Sequence, residues 1–238
     1  MKIETLKNNL SLELKESDVS KLKKFMELFV EYNSHTNLMS KNDVSVLFEK
    51  HIFDSLAFNL FLKKYLHKNK NSFSLLDIGT GGGFPSLPLS LVYENISVTA
   101  LDSIAKKIQF IESVKQALNV KNINPTCSRV EDLDVSTRES LDIVTSRAVS
   151  DLNVILEYSL PFLKVGGYFV SYKSKNVDAE IEASKNALKI LGGKVVDKIE
   201  YKLPLESDFT RYLVVVKKEK PTPKSYPRKN AQAKKNPL

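Results

Sequence analysis

Four of the chain's eight glycines stand within five positions, 79–83. They follow the apolar run Leu75-Leu76-Asp77-Ile78 and precede Phe84-Pro85. A short apolar run closed by glycine reads as a buried strand. Pro85 then opens a helix, where its missing N–H costs little. A strand, a glycine loop and a helix start together bring backbone N–H groups to a polar ligand. Taken alone, the loop also fits other nucleotide folds, or a structural turn in an α/β domain.

A second feature narrows the ligand. Asp102 ends the next apolar run, Val98-Thr99-Ala100-Leu101, 23 residues after Gly79. An acid at the end of a second strand is placed to accept both hydrogen bonds of a ribose diol. The dinucleotide fingerprint requires a third glycine at position 84, where this chain has Phe84. A pyrophosphate needs that close backbone approach; a nucleoside without phosphates does not. The Asp-x-Gly-x-Gly-x-Gly loop with its distal Asp resembles the first two motifs of class I S-adenosylmethionine-dependent methyltransferases.

The rest of the chain has the rhythm such a fold needs. Strands are expected at 73–78, 97–101, 123–127, 141–145 and 168–172. Helices are expected at 85–93, 103–118, 151–162 and 178–191. This alternation is that of a Rossmann-like, mostly parallel sheet covered on both faces. The runs Val195–Tyr201 and Tyr212–Val216 read as a C-terminal antiparallel hairpin. Upstream, Leu22, Phe25, Met26 and Phe29 recur at helical spacing, as do Leu47, Phe48, Ile52, Leu56 and Leu60. Residues 1–70 are therefore expected to form a small helical cap, 71–216 the methyltransferase domain, and 217–238 a disordered basic tail.

Charge singles out that tail. The net charge is +8, and residues 217–238 hold eight Lys or Arg against Glu219 alone, which is +7 of it. Four prolines and no apolar periodicity argue against a packed element there. Such a segment attracts phosphate backbones, or it only solubilises the chain. No apolar stretch is long enough to span a membrane. The mixed-charge start Met1-Lys2-Ile3-Glu4-Thr5 lacks a signal-peptide core. One cysteine, Cys127, excludes an internal disulfide. His35, His51 and His67 lack metal-ligand spacing. A cytoplasmic, metal-free monomer is expected.

The strand ends carry the polar candidates. After the third strand come Ser128-Arg129-Val130-Glu131. Val130 and Glu131 are placed to meet an adenine through backbone N–H and carboxylate; a loop acid capping the next turn is the plainer alternative. After the fourth strand comes Thr145-Ser146-Arg147-Ala148. Arg147 cannot act as a base near neutral pH, but it can bind a carboxylate or phosphate, or form a surface ion pair. Lys173 ends the fifth strand and Arg211 begins the last. Arg129, Arg147 and Lys173 would form a positive rim suited to a polyanionic acceptor.

These motifs together resemble the bacterial small-subunit rRNA guanine-7 methyltransferase family, also called the glucose-inhibited division protein B family. The likeness rests on Asp77 through Pro85, Leu101-Asp102-Ser103, Ser128 through Glu131, and Ser146-Arg147-Ala148. It extends to Tyr32-Asn33, Asn37-Leu38, His51 with Asp54-Ser55, and Tyr226-Pro227-Arg228-Lys229. The resemblance implies S-adenosylmethionine as donor and a guanosine in a loop of 16S ribosomal RNA, free or in the small ribosomal subunit, as acceptor. It implies that Gly79, Thr80, Gly81, Gly83, Phe84, Asp102, Ser103, Val130, Glu131 and Arg147 bind the cofactor. It implies that Asn37, Arg129, Lys173, Arg211, Arg228 and Lys229 face RNA, with Asn37 and Arg147 positioning the base. The chain departs from the family pattern at Ser86 and Ala231, where glycine is frequent, and at Ala233, where proline is. It also departs at Met39 and Ser174.

Ring nitrogen 7 of guanine carries a lone pair and no proton, so it can attack a sulfonium methyl directly. The absence of an Asp, Glu or His beside Arg147 fits that chemistry. A small-molecule methyltransferase with a solubilising tail is an alternative, as is a non-catalytic RNA-binding module.

Overall fold

The computed structural model describes residues 3–66, 72–205 and 209–238; His67 lies outside them. Seven strands form one sheet in the order β3-β2-β1-β4-β5-β7-β6. They are β1 (Phe73–Ile78), β2 (Ile96–Asp102), β3 (Ile123–Cys127), β4 (Leu141–Arg147), β5 (Leu163–Lys173), β6 (Gly193–Lys202) and β7 (Thr210–Lys218). The first five pair in parallel, and β7 pairs antiparallel with both β5 and β6. The expected α/β class and C-terminal hairpin are what the sheet shows.

Side chains alternate between two apolar layers, as strands buried on both faces require. Leu75, Val98, Ala100, Ile143, Leu213 and Val215 point to one layer. Leu76, Leu101, Val144, Val214 and Val216 point to the other.

The first layer is covered by helices from the N-terminal quarter. These are α1 (Glu4–Leu10), α2 (Glu16–Thr36), α3 (Lys41–Val44), a π-helical turn at Leu47–Ile52, α4 (Phe53–Leu56) and α5 (Phe58–Tyr65). Two helices that follow β1 and β2, α6 (Ser86–Val92) and α7 (Ala105–Ala117), complete this layer. Of the expected stripe, Leu22, Phe25 and Phe29 are fully buried and Met26 is half-buried against the same core. The stripe's rings meet Phe84 of the glycine loop at 5.5 and 5.4 Å, and Phe29 meets Phe110 at 5.4 Å. The helical N-terminal quarter thus shares one core with the sheet, because its aromatic stripe packs on the loop and on α7.

The second layer is covered by α8 (Leu152–Ser159), α9 (Val177–Ala183) and α10 (Lys185–Leu191). The expected helix over 178–191 is broken at Ser184, which closes α9 and precedes α10.

Residues 219–238 correct the expectation of a disordered tail. They pack across the second layer and end in the short α11 (Gln232–Lys235). Composition concealed this because the fastening groups are themselves basic. Lys218 is fully buried, and its ammonium donates to Glu139, Thr222 Oγ1 and the carbonyls of Leu160 and Leu163. Arg138 donates to the carbonyls of Thr222, Pro223 and Tyr226. Arg228 donates to the buried carboxylate of Glu157 through its backbone N–H, Nε and one terminal nitrogen, at 2.6–3.1 Å. Ala233 is fully buried. Removing one partner of such a buried pair costs about 3–5 kcal/mol, so the segment is part of the folded body.

Candidate active site

The C-terminal ends of the parallel strands converge on two adjoining cavities. The first, about 310 Å³, is lined by Gly79, Asp102, Ser103, Arg129, Val130 and Glu131. The second, about 450 Å³, is lined by Lys50, His51, Asp54, Arg147, Lys173 and Arg211. Val149 and Ser150 line both and form the partition between them.

The glycine loop shapes the first cavity. The N–H groups of Gly79 and Thr80 both donate to Leu101 O, at 2.8 and 2.9 Å, which turns the chain sharply off β1. Gly79 has φ +73°, and a Cβ there would lie 2.5 Å from Val149 Cγ2. Only glycine meets both conditions without strain. Gly83 is constrained likewise, with φ +88° and Leu87 Cδ1 2.4 Å from a would-be Cβ.

Asp102 ties this loop to β2. Its Oδ2 accepts from Gly81 N–H at 3.0 Å and faces Lys107 Nζ at 3.3 Å, and its Oδ1 accepts from Ile104 N–H at 3.0 Å. The carboxylate therefore sets the loop and the entry to α7 as well as facing the cavity. Asp77 lies beneath, fully buried. Its Oδ2 accepts from Ser86 Oγ at 2.6 Å, and Ser86 in turn accepts from Thr80 Oγ1 at 3.0 Å. Asp77 Oδ1 has no partner. Burial pushes this carboxyl up to about 6, against the hydrogen bonds from Ser86 and Thr80. The departure at Ser86 thus supplies a donor to Asp77 that glycine would lack.

The second cavity is organised around Arg147. One guanidinium nitrogen donates to Asp54 Oδ2 at 3.1 Å and the other meets His51 Nδ1 at 3.0 Å. Tyr201 donates to Asp54 Oδ1 at 2.5 Å, and Tyr172 donates to Ser55 O at 2.8 Å. Burial first, and then the Arg147 charge, push His51 down to about 3. The ring is neutral, Nδ1 is the acceptor, and Nε2 carries the proton. The π-helical turn 47–52 presents His51, and π turns of this kind recur at functional sites. Lys173 donates to Glu180 Oε2 at 2.6 Å and to Ser150 O at 2.9 Å. Arg211 Nε is buried without a partner. Lys50, Arg147, Lys173 and Arg211 stand against Asp54 and Glu180, so the lining holds four cations and two carboxylates.

The expected site residues separate into groups. Gly79, Asp102, Ser103, Arg129, Val130 and Glu131 share the first cavity; Arg147, Lys173 and Arg211 share the second. Thr80 and Phe84 are buried in the loop, and the Phe84 ring lies 5.4 Å from the Arg147 guanidinium, so its side chain packs rather than faces a cavity. Gly81 and Gly83 act through loop conformation. Asn37 closes α2 in the left-handed conformation, exposed and outside both cavities. Arg228 is bound to Glu157, while Lys229 is exposed. Asp54, which entered the family resemblance with His51 but was given no role, and Tyr201 are further functional candidates.

A family model described as rRNA small subunit methyltransferase G matches residues 18–204. The chain belongs to the rRNA small subunit methyltransferase G family. It is 38% identical over 231 residues to the Ribosomal RNA small subunit methyltransferase G of Alkaliphilus oremlandii, covering 96% of this chain and 94% of that one. It is 41% identical to the protein of that name from Fusobacterium nucleatum, covering 94% and 93%. The protein of that name from Streptococcus pneumoniae is 39% identical over the whole of both chains. Among solved structures, M. jannaschii TYW2 in complex with AdoMet aligns at TM-score 0.50 and 18% identity, over 65% of this chain and 72% of that one. A SAM dependent methyltransferase from Aquifex aeolicus aligns at 0.52 and 19%, over 74% and 95%. At that identity the likeness concerns the fold. This family member is an S-adenosylmethionine-dependent methyltransferase. The first cavity suits that donor: it offers two carboxylates for hydroxyl and amino groups, and Val130 and the half-exposed Val149 for apolar contact. No helix among the described residues is long and apolar enough to cross a membrane, and none of their acidic, His and Cys side chains group as a metal site.

Proposed function

We propose that this chain methylates ring nitrogen 7 of a guanosine in a loop of 16S ribosomal RNA, acting as a cytoplasmic monomer. The donor sits in the first cavity, on Gly79, Asp102, Val130 and Glu131, and supplies an electrophilic methyl group. The acceptor base enters the second.

The observation that carries this reading is the engagement of the potential bases beside Arg147 in the second cavity. Both oxygens of Asp54 accept, from Arg147 and from Tyr201. Glu180 Oε2 accepts from Lys173 and from the N–H of Leu152. His51 Nδ1 is engaged by Arg147. Asp54 and His51, the groups beside Arg147, are thus engaged, which suits an acceptor with a lone pair and no proton to lose, as ring nitrogen 7 has.

The residues act by position and charge. Arg147, locked between Asp54 and His51, presents a fixed edge to the base. Holding the nucleophile about 3–3.5 Å from the methyl supplies on the order of 7–11 kcal/mol through orientation. Arg211, and Lys50 beyond its pair with Asp43, bind the phosphates of a nucleotide displaced from its stack. A small neutral acceptor would have no use for them.

Mass mapping of methylated guanosines in rRNA tests the proposal, comparing cells with the gene, without it, and with Arg147→Lys. Loss of one 7-methylguanosine that only the wild-type gene restores is expected. An unchanged methylation map would refute it.

A further inference from the structure

The first cavity has a wall that the glycine loop and strand ends do not supply. Ala231 and Lys234, both from the basic C-terminal segment, line it together with Gly79, Asp102, Val130, Glu131 and Tyr158. Their placement is fixed. Arg228 fastens the segment to Glu157, and the neighbouring Tyr158 and Val154 of the same helix line the cavity. One Arg228 terminal nitrogen also donates to Asn236 O at 2.9 Å, folding the segment back over α8. Ala233 is inserted with no exposure, and Tyr226 and Leu238 pack on the second apolar layer. Ala231 takes φ +55°, and its carbonyl accepts from Lys234 and Lys235 N–H at 3.1 Å, which turns the chain into the short helix that carries Lys234.

We propose that residues 226–238 are the base-side wall of the donor pocket, and that Ala231 and Lys234 are donor-binding residues contacting its purine. A purine edge offers ring-nitrogen acceptors, and Lys234 supplies three donors on a flexible stem. The Ala231 methyl supplies apolar contact beside Val130. Donor binding and docking of the segment are then linked: each tightens the other by the same factor. Seven of the eight net charges lie in residues 217–238 by sequence, yet Lys218 and Arg228 hold the fold and Lys234 faces the donor. This inference rests on the reading of the first cavity as the donor site.

The test is calorimetry of S-adenosylhomocysteine with the full chain, without RNA. Lys234→Ala and Ala231→Asp are compared with Asp102→Ala and Glu131→Ala. Lys234 is exposed, so its truncation leaves the fold intact. Lys234→Ala and Ala231→Asp should each weaken binding about three- to tenfold, with the ligand-free melting temperature of Lys234→Ala unchanged. In the wild type, saturating ligand should slow trypsin cleavage after Lys229, Lys234 and Lys235. If the Asp102 and Glu131 variants lose affinity while the segment variants keep it, and cleavage is unaffected by ligand, the wall is refuted and the donor site stands. If none of the four variants changes affinity, the donor-site reading itself falls, and the wall with it.

Discussion

Arg147 at the end of β4 is bridged to Asp54 of α4, 93 residues earlier in the chain, by a 3.1 Å hydrogen bond. Tyr201 of β6 closes the same carboxylate from its other side. Three distant segments therefore fix one guanidinium. A point charge could attract a phosphate from many positions; a fork held at both ends has one orientation. Arg147→Lys keeps the charge but cannot bridge Asp54 and His51 together. Single-turnover transfer should fall about 10–100-fold, as for a misplaced positioning group. Donor affinity should change little, because Arg147 lines the second cavity. Equal losses in rate and donor affinity would place Arg147 on the donor instead.

Asp102→Ala should weaken S-adenosylmethionine binding by roughly 1.5–3 kcal/mol, the range for a hydrogen bond to a charged group. Because Asp102 Oδ2 also holds Gly81 N–H, hydrogen exchange at Gly81 should quicken in the ligand-free variant. Unchanged affinity with unchanged exchange would show that the carboxylate does neither.

The contrast between these two acids shows what the sequence made legible. Asp102 lies at the end of the strand beside β1, so spacing alone brought it to the loop. For Asp54 and Glu157 no spacing pointed to a partner. Asp54 reads as one polar residue within a helical pattern, and its partner is 93 residues away. Glu157 lies within the expected helix 151–162 with nothing local to mark it, and its partner Arg228 comes from 71 residues downstream. Local period revealed the sheet and the glycine loop. Long-range ion pairs, which no period encodes, decide how the tail and the second cavity are built. Asn37, a family position with a suggestive amide, ends α2 in the left-handed conformation and is exposed, a placement no sequence period announces.

Asp77 gives a pH-dependent prediction with a definite sign. Its carboxyl is raised from 3.8 to about 6 by burial. Above that value it is charged whether folded or unfolded, and folding bears a cost on the order of 2–3 kcal/mol. Below the unfolded value it is neutral in both, and the cost vanishes. Asp77→Asn should therefore raise the melting temperature at pH 8 and leave it nearly unchanged near pH 3.5. A variant equally stabilised at both pH values would contradict the buried-charge account.

Salt dependence should follow location rather than total charge. Lys218 is fully buried and satisfied, so a variant there cannot alter counterion release except by unfolding the chain. Lys50→Ala and Arg211→Ala should each lower the slope of log RNA affinity against log salt by about 0.7, the single-strand value per phosphate contact. Filter binding between 50 and 200 mM salt reads this directly. A slope unchanged in both variants would mean that the second cavity meets no phosphate.

The chemical step supplies the sharpest test of the acceptor. His51 is pushed down to about 3, so it stays neutral throughout the working range and its Nδ1 stays engaged by Arg147. Asp54 is held between a cation and a tyrosine hydroxyl. With ring nitrogen 7 as nucleophile, no proton leaves as the bond forms. Single-turnover methyl transfer at saturating donor and RNA should then be nearly flat from about pH 6.5 to 9, where no general base titrates. The lower bound matters, because Asp77 gains its proton near 6 beneath the donor loop and should reduce donor binding below that value. Saturating donor separates the two effects: an acid-side loss that more donor restores belongs to Asp77. A rate that climbs tenfold per pH unit, with donor and RNA both saturating, would mean that a proton must be removed. The acceptor would then be an exocyclic amine or a sugar hydroxyl, and the nitrogen-7 assignment would be lost.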